Sequence, residues 1–298
     1  MPYIWVSFKL YSLYLILKST AMIKVDLLGR FGNQMFQYAF AFATAKIHNT
    51  RFLITPTAPF EPAKYFELDW RTHFFYTAFP YNRYFIKLFS ELFPKYYHQK
   101  RFIEDQSESV DQQHHYSYQG YFQSEKYFAP YKNEIKKAFS LKQKWIDEFD
   151  KKYGELFKKN KTIIIHVRRT DYLHFEVPNL GGKDLSLPFS YYRNCLKQIP
   201  NISDYKILCI SDDIGFVKDN LVMDQDISFE TNTMITDFQL IQNANIAIIA
   251  NSSFGWWGAY LNNKAETIFA PKYWLGFKVN VEYSKDIIPE KFTQVDVY

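Results

Sequence analysis

The sequence predicts an α/β protein made of two Rossmann-like domains facing across a cleft. Three observations carry this expectation. Short apolar, β-branched runs alternate with helical stretches, the pattern of parallel sheets covered by helices on both faces. Each half of the chain opens with a strand that ends in a polar turn, at residues 29–34 and again at 166–171. In the second half, strand ends at His166, Ser211 and Asn251 all carry polar clusters. In a parallel sheet these ends fall on one edge, just outside the carboxyl ends of the strands, where open α/β folds bind ligands.

In chain order, residues 1–21 (MPYIWVSFKLYSLYLILKSTA) are apolar and aromatic, with Lys9 in the middle and Lys18 near the end. A spanning helix needs about 20 mostly apolar residues, and this run is shorter, charge-interrupted and without a clear small-residue cleavage site. Met22 stands directly before the first convincing strand, so an extension from an upstream start codon is preferred over an interfacial or signal anchor. Residues 23–28 read as that strand, 29–34 (GRFGNQ) as a glycine loop, and 34–47 as a helix whose Phe36 and Phe40 belong to the core. Two glycines let a backbone turn tightly and come close to a ligand, although a structural βα turn has the same signature. A second strand fits 51–55, and a proline-punctuated aromatic region without clear period runs to about residue 100. A strand is expected at 100–105, the motif Gly120-Tyr121-Phe122-Gln123-Ser124-Glu125 follows, and helices fit 125–139 and 142–158. In the last of these, Trp145, Ile146, Phe149 and Phe157 alternate with charges, giving one buried face.

The second half is cleaner. Strands are predicted at 162–167, 205–210, 246–250 and 267–270. Helices fit 189–198, 237–243 and a segment opening at Ser252-Ser253 and running through Leu261. The domain boundary is expected near 140–160, giving an extension at 1–21, an N-terminal domain at 22–155 and a C-terminal domain at 156–298.

Composition narrows the function. The chain has 298 residues, 47% hydrophobic and 22% charged, the profile of a globular protein. Aromatics reach 20%, with 29 Phe and 24 Tyr; they suit cores and also stacking on sugars or bases. A formal charge of +5 permits a polyphosphate ligand or peripheral contact with an anionic membrane, and gives little support for nucleic acid. Two cysteines, Cys195 and Cys209, have no metal-ligand spacing and fit a reducing compartment. The cytoplasm, with peripheral contact at an anionic membrane, is the expected location.

The chemistry centres on Thr162-Ile163-Ile164-Ile165-His166-Val167-Arg168-Arg169-Thr170-Asp171. A buried strand ends in two guanidiniums, which grip phosphate oxygens with paired N–H donors, and Asp171 is placed to lock one of them. Taken alone the cluster fits a surface ion-pair group equally well. Ser252 and Ser253, at a strand-to-helix junction, suit an anion or a plain N-cap; beside Arg168 and Arg169, a diphosphate becomes the better reading. Asp212-Asp213 is read as ribose or base recognition, or capping, ahead of a metal site. Asp237 is placed to head its helix and accept guanine N–H groups, with a capping role equally open.

Together these segments resemble the α-1,2-fucosyltransferases of glycosyltransferase family 11 and, more distantly, the α-1,6- and protein O-fucosyltransferases. The resemblance rests on Gly29-Arg30-Phe31-Gly32-Asn33-Gln34-Met35-Phe36-Gln37-Tyr38-Ala39, His166-Val167-Arg168-Arg169-Thr170-Asp171-Tyr172, Ser211-Asp212-Asp213, and Asp237-Phe238 through Asn251-Ser252-Ser253-Phe254-Gly255-Trp256-Trp257-Gly258-Ala259. It spans about 22–273, and the bacterial members are the most similar because there is no long stem region. It implies a GT-B-like fold, an acceptor-side first domain and a GDP-fucose-binding second one. It also implies an inverting transfer of L-fucose to the 2-hydroxyl of a galactose in a glycan, with no cofactor and no required metal. On this pattern Arg168, Arg169, Asn33 and Glu176 are the catalytic candidates, and Gly32, His166, Asp171, Asp213, Asp237, Ser252, Ser253 and Phe254 line the donor. Glu176 follows His166 by ten residues, where the α-1,6 enzymes carry an acidic residue and family 11 members often do not. Glu125 and Asp26 are alternative bases. A fucosyltransferase of another linkage is one alternative. The other is a non-catalytic GDP-sugar or glycan-binding module, against which the intact Arg168, Arg169 and Asn33 weigh.

Overall fold

The computed structural model describes residues 22–55, 60–68, 100–102, 117–177 and 179–298. The extension at 1–21 and most of the aromatic stretch between 56 and 116 lie outside the described residues. The chain divides into two compact units. The first takes the residues up to Arg30, with Gln34–Phe122 and Tyr127–Phe139; the second takes Phe31–Asn33, Gln123–Lys126 and Ser140–Tyr298.

The first unit holds a parallel sheet of β1 (Met22–Asp26), β2 (Arg51–Thr55), β3 (Lys100–Phe102) and β4 (Ser117–Gln119), in the order β2-β1-β4-β3. Ile23 and Val25 are buried on one face of β1; on the other, Lys24 and Asp26 are also buried and pair at 3.0 Å. Helix α1 (Phe31–Ile47) starts three residues before the expected Gln34. The Gln34 amide already donates to the Arg30 carbonyl at 3.0 Å, so Gly32 and Asn33 stand in a helical first turn and not in a loop. Gln37 clamps the turn: its amide accepts from Leu28 N at 3.0 Å and donates to the carbonyls of Leu28 and Gly120. Most of the described phenylalanines of this unit are core, with Tyr38 and Tyr118, whereas Tyr121 is exposed. Phe40 stacks on Phe122 at 3.8 Å, and Tyr38 meets Phe52, Phe60 and Phe139. Short helices α2 (Pro62–Tyr65) and α3 (Lys132–Ala138) also belong to it. The single helix expected over 125–139 is instead two 3₁₀ turns, Glu125–Tyr127 and Ala129–Tyr131, ahead of α3, because Pro130 lacks the N–H that a continuous helix needs.

The second unit is built on a six-stranded parallel sheet, with β5 (Lys161–Val167), β6 (Tyr205–Ser211), β7 (Ile227–Glu230), β8 (Ile246–Ile248), β9 (Thr267–Pro271) and β10 (Thr293–Val295) in the order β10-β9-β8-β5-β6-β7. In β5 every residue after Lys161 is buried, as a β-branched run between two parallel neighbours requires. Around the sheet lie α4 (Gln143–Phe149), α5 (Glu155–Lys159), α6 (Phe189–Lys197), α7 (Ile214–Asn220), α8 (Met234–Asn243) and α9 (Ser253–Tyr260). A π-helical turn, Asp150–Gly154, separates α4 from α5 where one helix was expected. It carries Tyr153 inward, so that its hydroxyl reaches Glu230 Oε2 at 2.6 Å and Asn232 Oδ1 at 2.9 Å. Gln239 donates to the Trp145 carbonyl at 2.9 Å, so residues 140–155 pack with this unit. Helices α8 and α9 approach closely because Gly258 has no side chain: a β-carbon there would sit 3.0 Å from Ile241. Cys195 and Cys209 are free and buried, and burial pushes both thiols up to about 12. Among the described residues no helix is long and apolar enough to cross a membrane.

Candidate functional site

The connection order singles out one edge of the second sheet. From β5 the chain moves outward through β6 and β7, then returns to the other side of β5 and moves outward again through β8, β9 and β10. The direction of winding therefore reverses between β5 and β8, and such a switch point is where open α/β sheets leave a crevice for a ligand. The two sides are joined there. Ala250 N donates to the His166 carbonyl at 3.1 Å, and the Tyr172 hydroxyl donates to the Asn251 carbonyl at 3.0 Å. Asn251 in turn donates to the Leu185 carbonyl at 2.9 Å.

The two arginines that leave β5 differ in their surroundings. Arg168 is held by two carboxylates, Asp171 at 2.6 Å and Asp212 at 3.2 Å. Arg169 uses only Nε, which donates to Asp213 at 3.2 Å, while its guanidinium lies 3.5 Å from the centre of the Phe216 ring. Among the described residues neither terminal nitrogen of Arg169 has a protein partner, so a fork of N–H donors remains for an anion. Asp212 also accepts from the backbone amides of Arg169 (2.9 Å) and Thr170 (3.2 Å) and from the Thr170 hydroxyl. Burial alone would raise its pKa. The Thr170 hydroxyl, Arg168 and the Arg169 amide reverse this and hold it below the usual carboxylate range. Asp212 and Asp213 thus clamp the arginine loop. Among the described residues no group of three His, Cys, Asp or Glu side chains is gathered to hold a metal. Phe216 carried no sequence signal, since an aromatic in a short helix reads as core.

Across the switch point, Ser252 is the N-cap residue of α9 in extended conformation, yet its side chain makes no capping hydrogen bond. Among the described residues the helix therefore presents its first N–H groups and an uncommitted hydroxyl, the arrangement that favours an anion. Gly32 of α1 lies against this junction: a β-carbon on it would stand 2.7 Å from Ser253 Oγ and closer still to the backbone. Phe254 packs among Phe31, Phe238 and His166 at centroid distances of 6.1, 5.6 and 5.5 Å. His166 is only 5% exposed, and among the described residues its buried Nδ1 has no hydrogen-bond partner. Burial, and then the neighbouring Arg168, push the imidazole down to about 4 against the pull of Asp212, so the ring is neutral at pH 7.

Asp237 does not head its helix: α8 begins at Met234 with Thr233 as N-cap. One turn in, Asp237 accepts from Asn232 Nδ2 at 3.0 Å. Burial raises its carboxyl to about 6; Asn232 and Lys152 pull it down, and Glu230 adds to the rise.

The remaining candidates are dispersed. Asn33 Oδ1 accepts from Gln123 Nε2 at 2.8 Å. The Glu176 side chain is 55% exposed, with Lys183 at 3.9 Å as its ion-pair partner, and no described contact joins it to the arginines. Asp26 is buried with Lys24 in the first unit. Glu125 lies against the Tyr260 hydroxyl and, after burial, helps to raise that phenol.

Comparison with known proteins gives a consistent picture. The model of glycosyl transferase family 11 matches residues 1–286. An alpha-1,2-colitosyltransferase of Escherichia coli is 30% identical over 185 residues, covering 59% of this chain and 61% of that protein. The O-antigen biosynthesis glycosyltransferase WbnK of Escherichia coli is 26% identical over 119 residues, covering 38% of this chain and 39% of that protein. The similarity thus spans at most about three fifths of either relative's length. Among solved structures, the NodZ alpha-1,6-fucosyltransferase of Bradyrhizobium co-crystallized with GDP superposes with a TM-score of 0.50 at 14% identity, over 84% of this chain and 94% of that one. This likeness is one of fold, a GT-B-like α/β architecture.

Proposed function

The chain belongs to glycosyl transferase family 11, and from that membership we propose that it moves L-fucose from GDP-fucose to the 2-hydroxyl of a galactose in a glycan acceptor, with inversion at the sugar carbon. One observation carries the donor half of this reading. The uncommitted terminal nitrogens of Arg169 leave β5 and the uncapped start of α9 follows β8, on the two sides of one switch point. A diphosphate seated between them would meet fixed N–H donors from both sides.

The chemistry follows from that frame. The acceptor oxygen attacks the anomeric carbon as the bond from that carbon to the β-phosphate oxygen breaks, and the acceptor proton passes to a base. Negative charge grows on GDP, and N–H donors already aimed at it lower the barrier; losing one such donor costs about 10²–10³ in rate in other enzymes. Asp237 is the proposed acceptor for guanine N–H groups, Phe254 and neutral His166 line the donor, and Asp171 and Asp213 orient the arginines. Asn33 is proposed to hold the acceptor oxygen. Glu176 is the base expected from the sequence, and its exposed side chain, 3.9 Å from Lys183, speaks against that role. The reading requires no metal, so EDTA should leave turnover unchanged; a loss restored by Mn²⁺ would promote Asp212 and Asp213 to ligands.

The test is turnover of radiolabelled GDP-fucose with a panel of galactosides, with product linkage read by NMR. A second reading is favoured by the colitosyltransferase relative: the same site with a colitosyl donor. Running both donors in parallel separates the two. Binding of GDP without transfer from either donor would leave a GDP-sugar-binding module.

A further inference from the structure

Asn33 sits in the first turn of α1, beside Gly32, and its side-chain amide has two chemically different ends. A short chain of hydrogen bonds orients it in this structure. The Ser284 hydroxyl donates to Gln123 Oε1 at 3.0 Å, and Gln123 Nε2 donates to Asn33 Oδ1 at 2.8 Å. With the Gln123 carbonyl engaged by Ser284, the glutamine turns its NH₂ to Asn33. The Asn33 carbonyl is then the engaged end, and its NH₂ is turned away as a donor. Among the described residues that NH₂ has no acceptor. Asn33, Gln123 and Ser284 are all half-buried and belong to the second unit.

The chain is anchored at both ends. Ser124 Oγ donates to the Asp286 carbonyl at 2.8 Å, and Lys126 pairs with the Asp286 carboxylate at 2.8 Å, tying the segment after Gln123 to the segment after Ser284. Trp256 Nε1 donates to the Ile287 carbonyl at 2.7 Å, which fixes that second segment to α9. Gln123 also follows a residue in an unusual conformation. Phe122 has φ of 51°, a left-handed backbone that a phenylalanine adopts only when its surroundings impose it.

We infer that Gln123 is a positioning residue: it holds the Asn33 amide with the carbonyl turned inward and the NH₂ presented to an oxygen of the bound substrate. This rests on the reading of Asn33 as part of the transfer site. An NH₂ donor suits a sugar hydroxyl oxygen or a sugar–phosphate bridging oxygen, both acceptors. A carbonyl in its place would repel the bridging oxygen and could only accept from the hydroxyl, never donate to it.

Two measurements test it. The first needs no substrate. The Asn33 side-chain amide signal, assigned with Asn33→Ala in ¹⁵N-asparagine-labelled protein, is followed in Gln123→Ala and Gln123→Glu. A carboxylate at 123 accepts only, so Gln123→Glu should turn the Asn33 amide over and move its signal. An unmoved signal in both variants overturns the inference. The second is a kinetic cycle on the full chain with GDP-fucose and a galactoside. Gln123→Ala should lower kcat by about 10–100-fold, the scale of losing an outer hydrogen-bond partner, with GDP affinity and Tm near wild type. Gln123→Glu should lower it at least as far. In an Asn33→Ala background the same Gln123→Ala change should cost less than about twofold, since residues in one network are not additive. A full loss that persists without Asn33, or wild-type kcat in both variants, overturns the inference. If the wild-type chain transfers no fucose, the proposed donor fails, and the amide signal still decides the role of Gln123.

Discussion

Gly32 lies directly against Ser253: a β-carbon built on Gly32 would stand 2.5 Å from the Ser253 carbonyl carbon and 2.6 Å from the Phe254 nitrogen. The glycine is therefore required by a close approach of backbone to backbone, and not by a left-handed turn. Gly32→Ala must push the start of α9 aside. It should cost about 1–3 kcal/mol, the usual range for overpacking, read as a lower Tm. It should also weaken GDP by tenfold or more, read by calorimetry. Unchanged Tm and GDP affinity together would show that the junction yields, and that the anion frame does not depend on it.

The arginines should separate by phenotype. Arg169→Ala removes the uncommitted fork, so GDP affinity and kcat should both collapse while Tm stays near wild type. Arg168→Ala leaves Asp171 and Asp212 without their shared cation. It should cost about 1–2 kcal/mol in stability, with activity falling because the arginine loop loses its clamp. Circular dichroism and thermal melts accompany the kinetics. Identical phenotypes, or near-wild-type turnover for Arg169→Ala, would sink the assignment.

The parts of this site that sequence reasoning reached are those where one strand determines its own surroundings. The run Ile163-Ile164-Ile165 has to be central and buried, so His166 and the arginines had to fall at an edge. What it missed depends on pairs distant in the chain. The sheet order that puts β8 beside β5, and so creates the switch point, is set by packing between residues some 80 apart. Phe216 under Arg169 and Gln123 behind Asn33 are ordinary residues until tertiary contact gives them a role. The start of α1 was misplaced because Gly32 is a poor helix former locally, while its tertiary contact with Ser253 demands the absence of a side chain. Asp237 is expected at a helix start, yet the helix opens one turn earlier at Met234, with Thr233 in the N-cap position.

Glu176 as acceptor base is tested by Glu176→Gln. Its side chain is half exposed and its ion-pair partner is a lysine at 3.9 Å, surroundings that do not hold a carboxylate in one position. The expected outcome is kcat within a few-fold of wild type and unchanged GDP affinity. A fall of about 10²–10⁴-fold in kcat, the scale of losing a general base, would instead establish it as the base.

Asp237 makes the binding and folding predictions run in opposite directions with pH. Its carboxyl is raised to about 6, chiefly by burial, against about 3.9 for an unperturbed aspartate. Between those values the folded chain binds more proton than the unfolded one. This group's contribution to stability therefore falls as pH rises from about 4 through 6. Asp237→Asn, which carries no charge, should gain stability relative to wild type above pH 6 and show no such gain below pH 4. Binding has the other sign, because only the ionised carboxylate accepts two guanine N–H groups. Affinity for the base should rise as pH increases through 6, by up to about tenfold per unit on the acid side. The terminal phosphate of GDP also titrates near pH 6. The decisive quantity is thus the ratio of wild-type to Asp237→Asn affinity, measured with GDP and again with guanosine. A ratio that climbs through pH 6 for both ligands supports contact with the base. A flat ratio for both would assign Asp237 to the Asn232 hydrogen bond alone, and guanine recognition would pass to other groups of the second unit.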